Sequence, residues 1–218
     1  MSYYFGITLK DSVLFGCDRT FNDAITNENR SDSKRYSILQ DNRVFLPTGN
    51  MYFCRQVEAF LHTLFVDSLE AYFEEGNAIV SKLFSASYQK AQEDAIPRLE
   101  GNGKTGDTEN VDCLYGGLDG GAPFIIALSS ADDFQLQLVN TPLHYICLNQ
   151  TPEISAYAQS TLKAFLGAVE GQGIDEVWEL GKRFLPSLIQ KISKEDPLVS
   201  SSGDLIFLSG KGIQTFEF

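Results

Sequence analysis

The chain has 218 residues, of which 43% are apolar and 21% charged, and its formal net charge is −12. This length suffices for a substantial core, so we expect one domain over residues 1–218. The acidic balance argues against nucleic acid and against anionic membranes as partners, because both are bound through clusters of Lys and Arg.

The four cysteines and two histidines lack the spacing of a metal site. They are Cys17, Cys54, His62, Cys113, His144 and Cys147. Because no CxxC pair occurs, we expect neither a metal nor a cofactor, and buried thiols in a reducing compartment. The sequence shows no signal-peptide pattern and no apolar stretch of membrane-spanning length. We therefore expect a cytoplasmic protein.

The first predicted elements are two hairpins. Apolar and polar residues alternate over residues 3–9, which predicts a strand with one buried face, and residues 13–17 read as the returning strand. Residues 22–33 are polar and predict a loop. A second hairpin is predicted from residues 35–39 and 43–46, and Pro47 is expected to end its second strand.

After the second hairpin, pairs of helices are predicted between groups of strands. Helical spacing of apolar residues predicts helices over 57–72 and 77–94, and three glycines predict a surface loop over 97–110. Further strands are predicted at 113–116, 124–128, 134–139, 145–148, 204–208 and 213–218. Helices are predicted over 154–169 and 174–194, the second with a kink or an earlier end at Pro186.

The order of elements favours an α+β fold. Paired helices separate batches of strands, which differs from the strict alternation of a parallel doubly wound sheet. We therefore expect a four-layer αββα sandwich, in which two antiparallel sheets pack face to face and a helix pair covers each outer side.

Four stretches resemble the proteasome-like family of N-terminal-nucleophile (Ntn) hydrolases, which includes proteasome β-subunits and the bacterial Anbu branch. They are "SYYFGITLKDSVLFGCDRT", "SDSKRYSIL", "DNRVFLPTGN" and "VWELGKRFLPSLIQKISKEDPLVSSSGDLIFL". The resemblance covers most of the chain and is strongest over residues 2–60. It implies the same sandwich fold and self-assembly into rings or helical homo-oligomers.

A serine at the chain terminus can supply two catalytic groups. A serine hydroxyl is a weak nucleophile without a base, and an α-amine, with an ordinary pKa of about 8, is such a base. Removal of Met1 would therefore make Ser2 both nucleophile and general base, and the strand that follows would hold it still.

The resemblance implies roles for three residues around the Ser2 hydroxyl. Lys34 would lie beside this hydroxyl and favour its alkoxide, and Asp18 would orient and pair the Lys34 ammonium. The backbone N–H of Gly49 would face the oxyanion of the attacked amide.

The resemblance further assigns an outer pair that hydrogen-bonds the terminal amine, namely Asp196 and Ser200, with Ser201 an equal alternative to Ser200. The sequence departs from the family pattern in two places. Ser replaces the usual Thr nucleophile, and "LNQTPE" at 148–153 replaces a Gly-Ser-Gly turn.

Two functions follow as expectations. The first is an N-terminal serine hydrolase, a peptidase or other amidohydrolase, that acts on peptide or other amide substrates. The alternative is a catalytically inactive, self-assembling scaffold subunit. A Ser/His/Asp triad is disfavoured because the chain has no GxSxG motif, and Cys17, in an apolar strand, is expected to be inert.

Overall fold

The computed structural model describes residues 3–19, 21–23, 28–30, 34–39, 43–48, 111–132, 134–148 and 152–218, with single helical positions between residues 58 and 93. The strands among them are β1 Tyr4–Thr8, β2 Ser12–Asp18, β3 Phe21–Asp23, β4 Glu28–Arg30, β5 Ser37–Leu39, β6 Arg43–Thr48, β7 Asp112–Asp119, β8 Ala122–Ser129, β9 Gln137–Val139, β10 His144–Leu148, β11 Gly203–Ser209 and β12 Gly212–Glu217. The helices are α1 Pro152–Val169 and α2 Ile174–Glu195, and a 3-10 turn covers Ser130–Asp132.

Ten of these strands form two five-stranded sheets, and β3 and β4 pair only with each other. The first sheet has the order β10-β1-β2-β11-β12 and the second the order β5-β6-β7-β8-β9, with neighbouring strands antiparallel throughout. Strand β2 therefore lies at the centre of the first sheet, and the two chain segments that flank the candidate site, residues 3–19 and 203–217, are paired within it.

The two sheets pack face to face through a buried apolar layer. Its members are Tyr4, Val13, Phe15, Cys17, Val44, Leu46, Leu114, Ile125, Ala127, Ile206 and Leu208. The opposite face of the first sheet packs on the two helices in a second layer, which includes Tyr3, Phe5, Leu14, Leu162, Phe165, Leu188, Leu205 and Phe207. Every residue of β1, β2 and β11 is consequently buried.

Helices α1 and α2 confirm the sequence prediction. Each presents an apolar stripe to the first sheet, and Gly171, with a φ of 77°, lies in the turn between them, where glycine adopts the left-handed conformation without strain. Helix α2 continues through Pro186 to Glu195, so the prediction of an earlier end at this proline is wrong. The loss of one backbone hydrogen bond is offset by the burial of Leu185, Leu188 and Ile189 around it.

Two further predictions are corrected near the start of the chain. Part of the polar stretch 22–33 forms the short hairpin β3–β4, with Phe21 opposite Arg30. Backbone pairing needs no apolar alternation, so the sequence pattern did not reveal it. Pro47 lies inside β6 instead of ending it. Pairing with β5 stops at Phe45, and a proline is tolerated where a strand is paired on one side only.

The strand predicted over 134–139 is shorter than expected, because β9 begins at Gln137. Phe134 has a φ of 55° and is buried, and its N–H donates to the carbonyl of Ser129 at 2.7 Å. A left-handed residue cannot continue a strand, so Phe134 closes the turn after β8 while its ring fills the core.

The helices predicted over 57–72 and 77–94 fall outside the described residues, except that Glu58, Ala59, Ala86, Gln89 and Glu93 are helical. The two sheets and the α1–α2 layer confirm an α+β sandwich, and the helix pair predicted for the outer side of the second sheet lies outside the described residues. Within the part of the chain that the structure describes, no helix is long and apolar enough to cross a membrane.

Candidate active site

The Asp18 carboxylate lies at the end of β2, fully buried, and joins two segments of backbone. Its Oδ1 accepts the N–H of Tyr3 at 2.9 Å, and its Oδ2 accepts the N–H of Ser200 at 3.0 Å. The Asp18 N–H in turn donates to the carbonyl of Tyr3 at 3.2 Å. Asp18 therefore fixes the residue that follows Ser2 against the loop after α2.

That loop, residues 196–202, has its own hydrogen bonds. The Asp196 Oδ1 accepts the N–H of Leu198 at 2.9 Å, and the Ser200 and Ser202 hydroxyl oxygens lie 2.8 Å apart. Ser200 is half-buried beside Asp18, whereas Ser201 is exposed. The contacts thus distinguish these two serines, which the sequence alone did not.

Asp196 borders an open recess of about 630 Å³ between the start of α1 and the end of α2. The recess is lined by Glu153, Ile154, Tyr157, Lys191, Ile192, Glu195, Asp196 and Leu198. The Asp196 carboxylate is therefore reachable from the helix side of the first sheet.

Lys34 lies on the other side of this sheet. Its ammonium is 3.6 Å from Glu217 Oε1 and 5.9 Å from the centre of the Tyr36 ring, and its side chain is 60% exposed. Asp18 neighbours Cys17, whose side chain faces the second sheet, so Asp18 faces the helices. The family resemblance implies that Asp18 pairs with Lys34. In the structure Asp18 accepts two backbone N–H groups, and the Lys34 ammonium lies beside Glu217.

Three charged residues that the sequence analysis did not single out lie between these groups. The Arg19 guanidinium donates to both oxygens of Asp204, at 2.8 and 2.7 Å, and lies 3.0 Å from Glu217 Oε1. Asp204 is fully buried. A signal existed, since Asp204 occupies an inward position of an otherwise apolar strand, where a charge needs a partner.

Ser2 and Gly49 lie outside the described residues. Their described neighbours are Tyr3, held by Asp18, and Thr48, a buried residue at the end of β6 that pairs with Asp112 of β7. Burial raises the pKa of Asp112, a hydrogen bond from Ser129 partly opposes this, and the nearby charge of Asp132 adds to it.

Thiol and phenol groups near the site are held neutral by burial. Burial raises the pKa of the Cys17 thiol well above its usual value, and the charges of Asp204 and Asp18 add to this effect. Burial also raises the pKa of the Tyr3 hydroxyl, which lies 3.5 Å from the sulfur of Cys147. Cys17 is thus the buried, protonated thiol that its sequence context predicts. Among the described residues no group of three potential ligands could hold a metal ion.

Comparison with known proteins identifies the architecture. No protein-family model matches the chain, and no curated protein matches it. Solved structures do match, and two of them cover all or nearly all of the chain. An Anbu (Gly-1) mutant from Hyphomicrobium sp. strain MC1 is 15% identical, with a TM-score of 0.59, and the match covers 100% of this chain and 86% of that one. Anbu (ancestral beta-subunit) from Yersinia bercovieri is 13% identical, with a TM-score of 0.60, and the match covers 99% and 86%.

The sandwich of antiparallel sheets with its helix pair is thus the fold of a proteasome-like protein. Within that class, the two solved structures described above are Anbu proteins, the branch that the sequence motifs resemble. At these identities the likeness shows the fold, and the chemistry of the site has to be argued from its own residues.

Proposed function

We propose that the protein is an N-terminal serine hydrolase that cleaves peptide or other amide bonds. Ser2, exposed by removal of Met1, is the nucleophile, and its own α-amine is the general base. The observation that carries the proposal is the Asp18 carboxylate, which fixes the N–H of Tyr3, the residue next to Ser2. A terminus that is used for chemistry has to be immobilised, and a buried charge-assisted hydrogen bond does this.

The reaction has two steps. The Ser2 oxygen attacks the carbonyl carbon of the amide, and its proton passes to the α-amine and then to the leaving amine as the C–N bond breaks. Water then adds to the resulting ester, the ester C–O bond breaks, and the Ser2 hydroxyl is restored. In this proposal Lys34 favours the alkoxide and the N–H of Gly49 stabilises the oxyanion.

The α-amine of Ser2 is proposed to be supported by the loop after α2. Asp196 and Ser200 are proposed to hydrogen-bond the α-amine, which would keep it aligned with the hydroxyl. Ser200 suits this role better than Ser201, because its N–H donates to the carboxylate that also fixes Tyr3. We further propose that the protein acts in the cytoplasm, with copies of itself and an amide substrate as partners.

A scaffold function is the second candidate. The observation that favours it is the exposure of apolar side chains on α2 and the loop after it, with Phe184 at 38% and Leu198 at 51%. Such side chains suit contacts between copies of the chain.

An intact-mass spectrum of the untagged protein, before and after exposure to an aliphatic β-lactone, tests the hydrolase. Opening of the lactone by Ser2 adds the full mass of the probe. We expect loss of Met1 and one adduct, which Ser2→Ala abolishes. The matched control is Ser187→Ala, at an exposed serine on α2, which should keep the adduct. Retained Met1 without an adduct would refute the hydrolase and favour the scaffold.

A further inference from the structure

Four charged side chains form a continuous chain across the first sheet. Arg19 binds both oxygens of the buried Asp204 and lies 3.0 Å from Glu217, and Glu217 lies 3.6 Å from the ammonium of Lys34. The signs alternate along this row, so Arg19 and Glu217 each lie between two opposite charges. The row ends at Lys34, the lysine that the proposed reaction uses.

Strand pairing fixes the position of Glu217. It lies directly opposite Asp204 in the β11–β12 register, so the two side chains leave the same face of the sheet. Arg19 is only 11% exposed and bridges both carboxylates from the end of β2. A guanidinium that binds one carboxylate through two parallel hydrogen bonds is held in orientation as well as in place. Glu217 is therefore held by a buried pair, although its own side chain is 56% exposed.

The segment that carries Lys34 is attached to the same strand. The side chain of Tyr36 hydrogen-bonds that of Thr215, and Thr215 lies two residues before Glu217, on the same face of β12. Arg35, which lies between Lys34 and Tyr36 in the sequence, is buried, and its guanidinium lies 5.8 Å from the centre of the Tyr4 ring. Alternate residues of the segment thus contact β12, and Lys34 is aligned with Glu217.

Asp18, the residue expected to pair with Lys34, has a different set of contacts. Each of its two oxygens accepts a backbone N–H, and its side chain lies on the helix face of the sheet. This arrangement suits a clamp on the segment next to Ser2. Among the residues that the structure describes, Glu217 is the carboxylate that contacts the Lys34 ammonium.

We propose that Glu217 is the positioning residue that holds the Lys34 ammonium beside the Ser2 hydroxyl, with Arg19 and Asp204 as its support. This inference rests on the proposed hydrolase function, which it deepens. In this arrangement β12 supports Lys34 through Glu217, and Asp18 separately holds the backbone after Ser2.

The first test measures acylation by the aliphatic β-lactone as kinact and KI, from time courses of the intact mass. We expect Glu217→Gln to lower kinact roughly two- to fivefold with KI unchanged, the change that corresponds to an exposed ion pair. The matched control is Glu179→Gln, which removes another exposed carboxylate, 2.6 Å from Lys182 on α2, and should react like the wild type. A wild-type kinact in Glu217→Gln would overturn the inference.

The second test is independent of any reaction at Ser2. A carbodiimide joins a carboxylate and an amine in contact into an amide, with loss of water, and peptide mass spectrometry locates the link. We expect Lys34 to be linked to Glu217 in the wild type and in Glu179→Gln. A Lys34–Asp18 link, or no link to Lys34, would overturn the inference. A Lys34–Glu217 link in a protein that takes no lactone would refute the hydrolase while the pairing stands.

Discussion

Replacement of Asp18 by Asn should destabilise the protein by about 2–4 kcal/mol. The carboxylate accepts two backbone N–H groups, from Tyr3 and Ser200, in a fully buried position. Asn has one acceptor oxygen, so one N–H would face the amide NH2 and lose its partner, which costs about 1–3 kcal/mol. The remaining hydrogen bond loses its charge assistance, which adds about 1 kcal/mol.

Asp196→Asn is the matched control. The Asp196 Oδ1 accepts a single N–H, from Leu198, in an exposed position, and the Asn oxygen can accept the same bond. We expect a change below about 0.5 kcal/mol. The free energy of unfolding of both variants would be measured by chemical denaturation at neutral pH, with hydrogen exchange at the amides of Tyr3 and Ser200 to locate the effect.

Two results would refute this account of Asp18. One is an equal loss of stability in the two variants, which would mean that burial of the Asp18 carboxylate contributes nothing beyond a surface contact. The other is a large loss of stability in Asp18→Asn without faster exchange at Tyr3 or Ser200. In that case Asp18 would stabilise the fold through other contacts, and the observation that carries the proposed function would lose its meaning.

Two further predictions concern the second sheet. A Cβ at Gly116 would lie 2.5 Å from the carbonyl oxygen of Phe124 on the neighbouring strand, so Gly116→Ala should cost about 1–3 kcal/mol on denaturation, whereas Gly210→Ala, with open surroundings, should be near neutral; equal effects would contradict this. Burial raises the pKa of Asp112 in the folded protein. The unfolded chain therefore loses this proton first, and the folded protein loses stability as the pH rises above about 4, the ordinary carboxyl value. Asp112→Asn should therefore gain stability over the wild type between pH 4 and pH 7, and a difference independent of pH would disprove the assignment.

Local patterns in the sequence predicted most of the sandwich. The alternation in β1 and the helical spacing in α1 and α2 identified these elements to within a few residues, because each buries one apolar stripe or face. The hairpin β3–β4 and the extent of β6 past Pro47 were missed. Both depend on which neighbouring strand is paired, and a single stretch of sequence does not carry that information.

The candidate site was predictable only in part. The motif around Asp18 and the loop with Ser200 were identified together, and the structure brings them within hydrogen-bond distance. The contact between Lys34 and Glu217 was not anticipated, because it joins residues far apart in the sequence and depends on the register of β12. Asp204 was the available clue, as a charge in a strand of buried residues.

The burial of β1, β2 and β11 on both faces also bears on how far such a chain can diverge. Strands enclosed by two apolar layers require side chains of suitable size and polarity, and many combinations of Val, Ile, Leu and Phe meet that requirement. Substitutions that conserve volume can therefore accumulate along the central strands while the strand order is retained. This tolerance gives a physical reason why the architecture is recognisable at full length in proteins that share few identical residues with the chain.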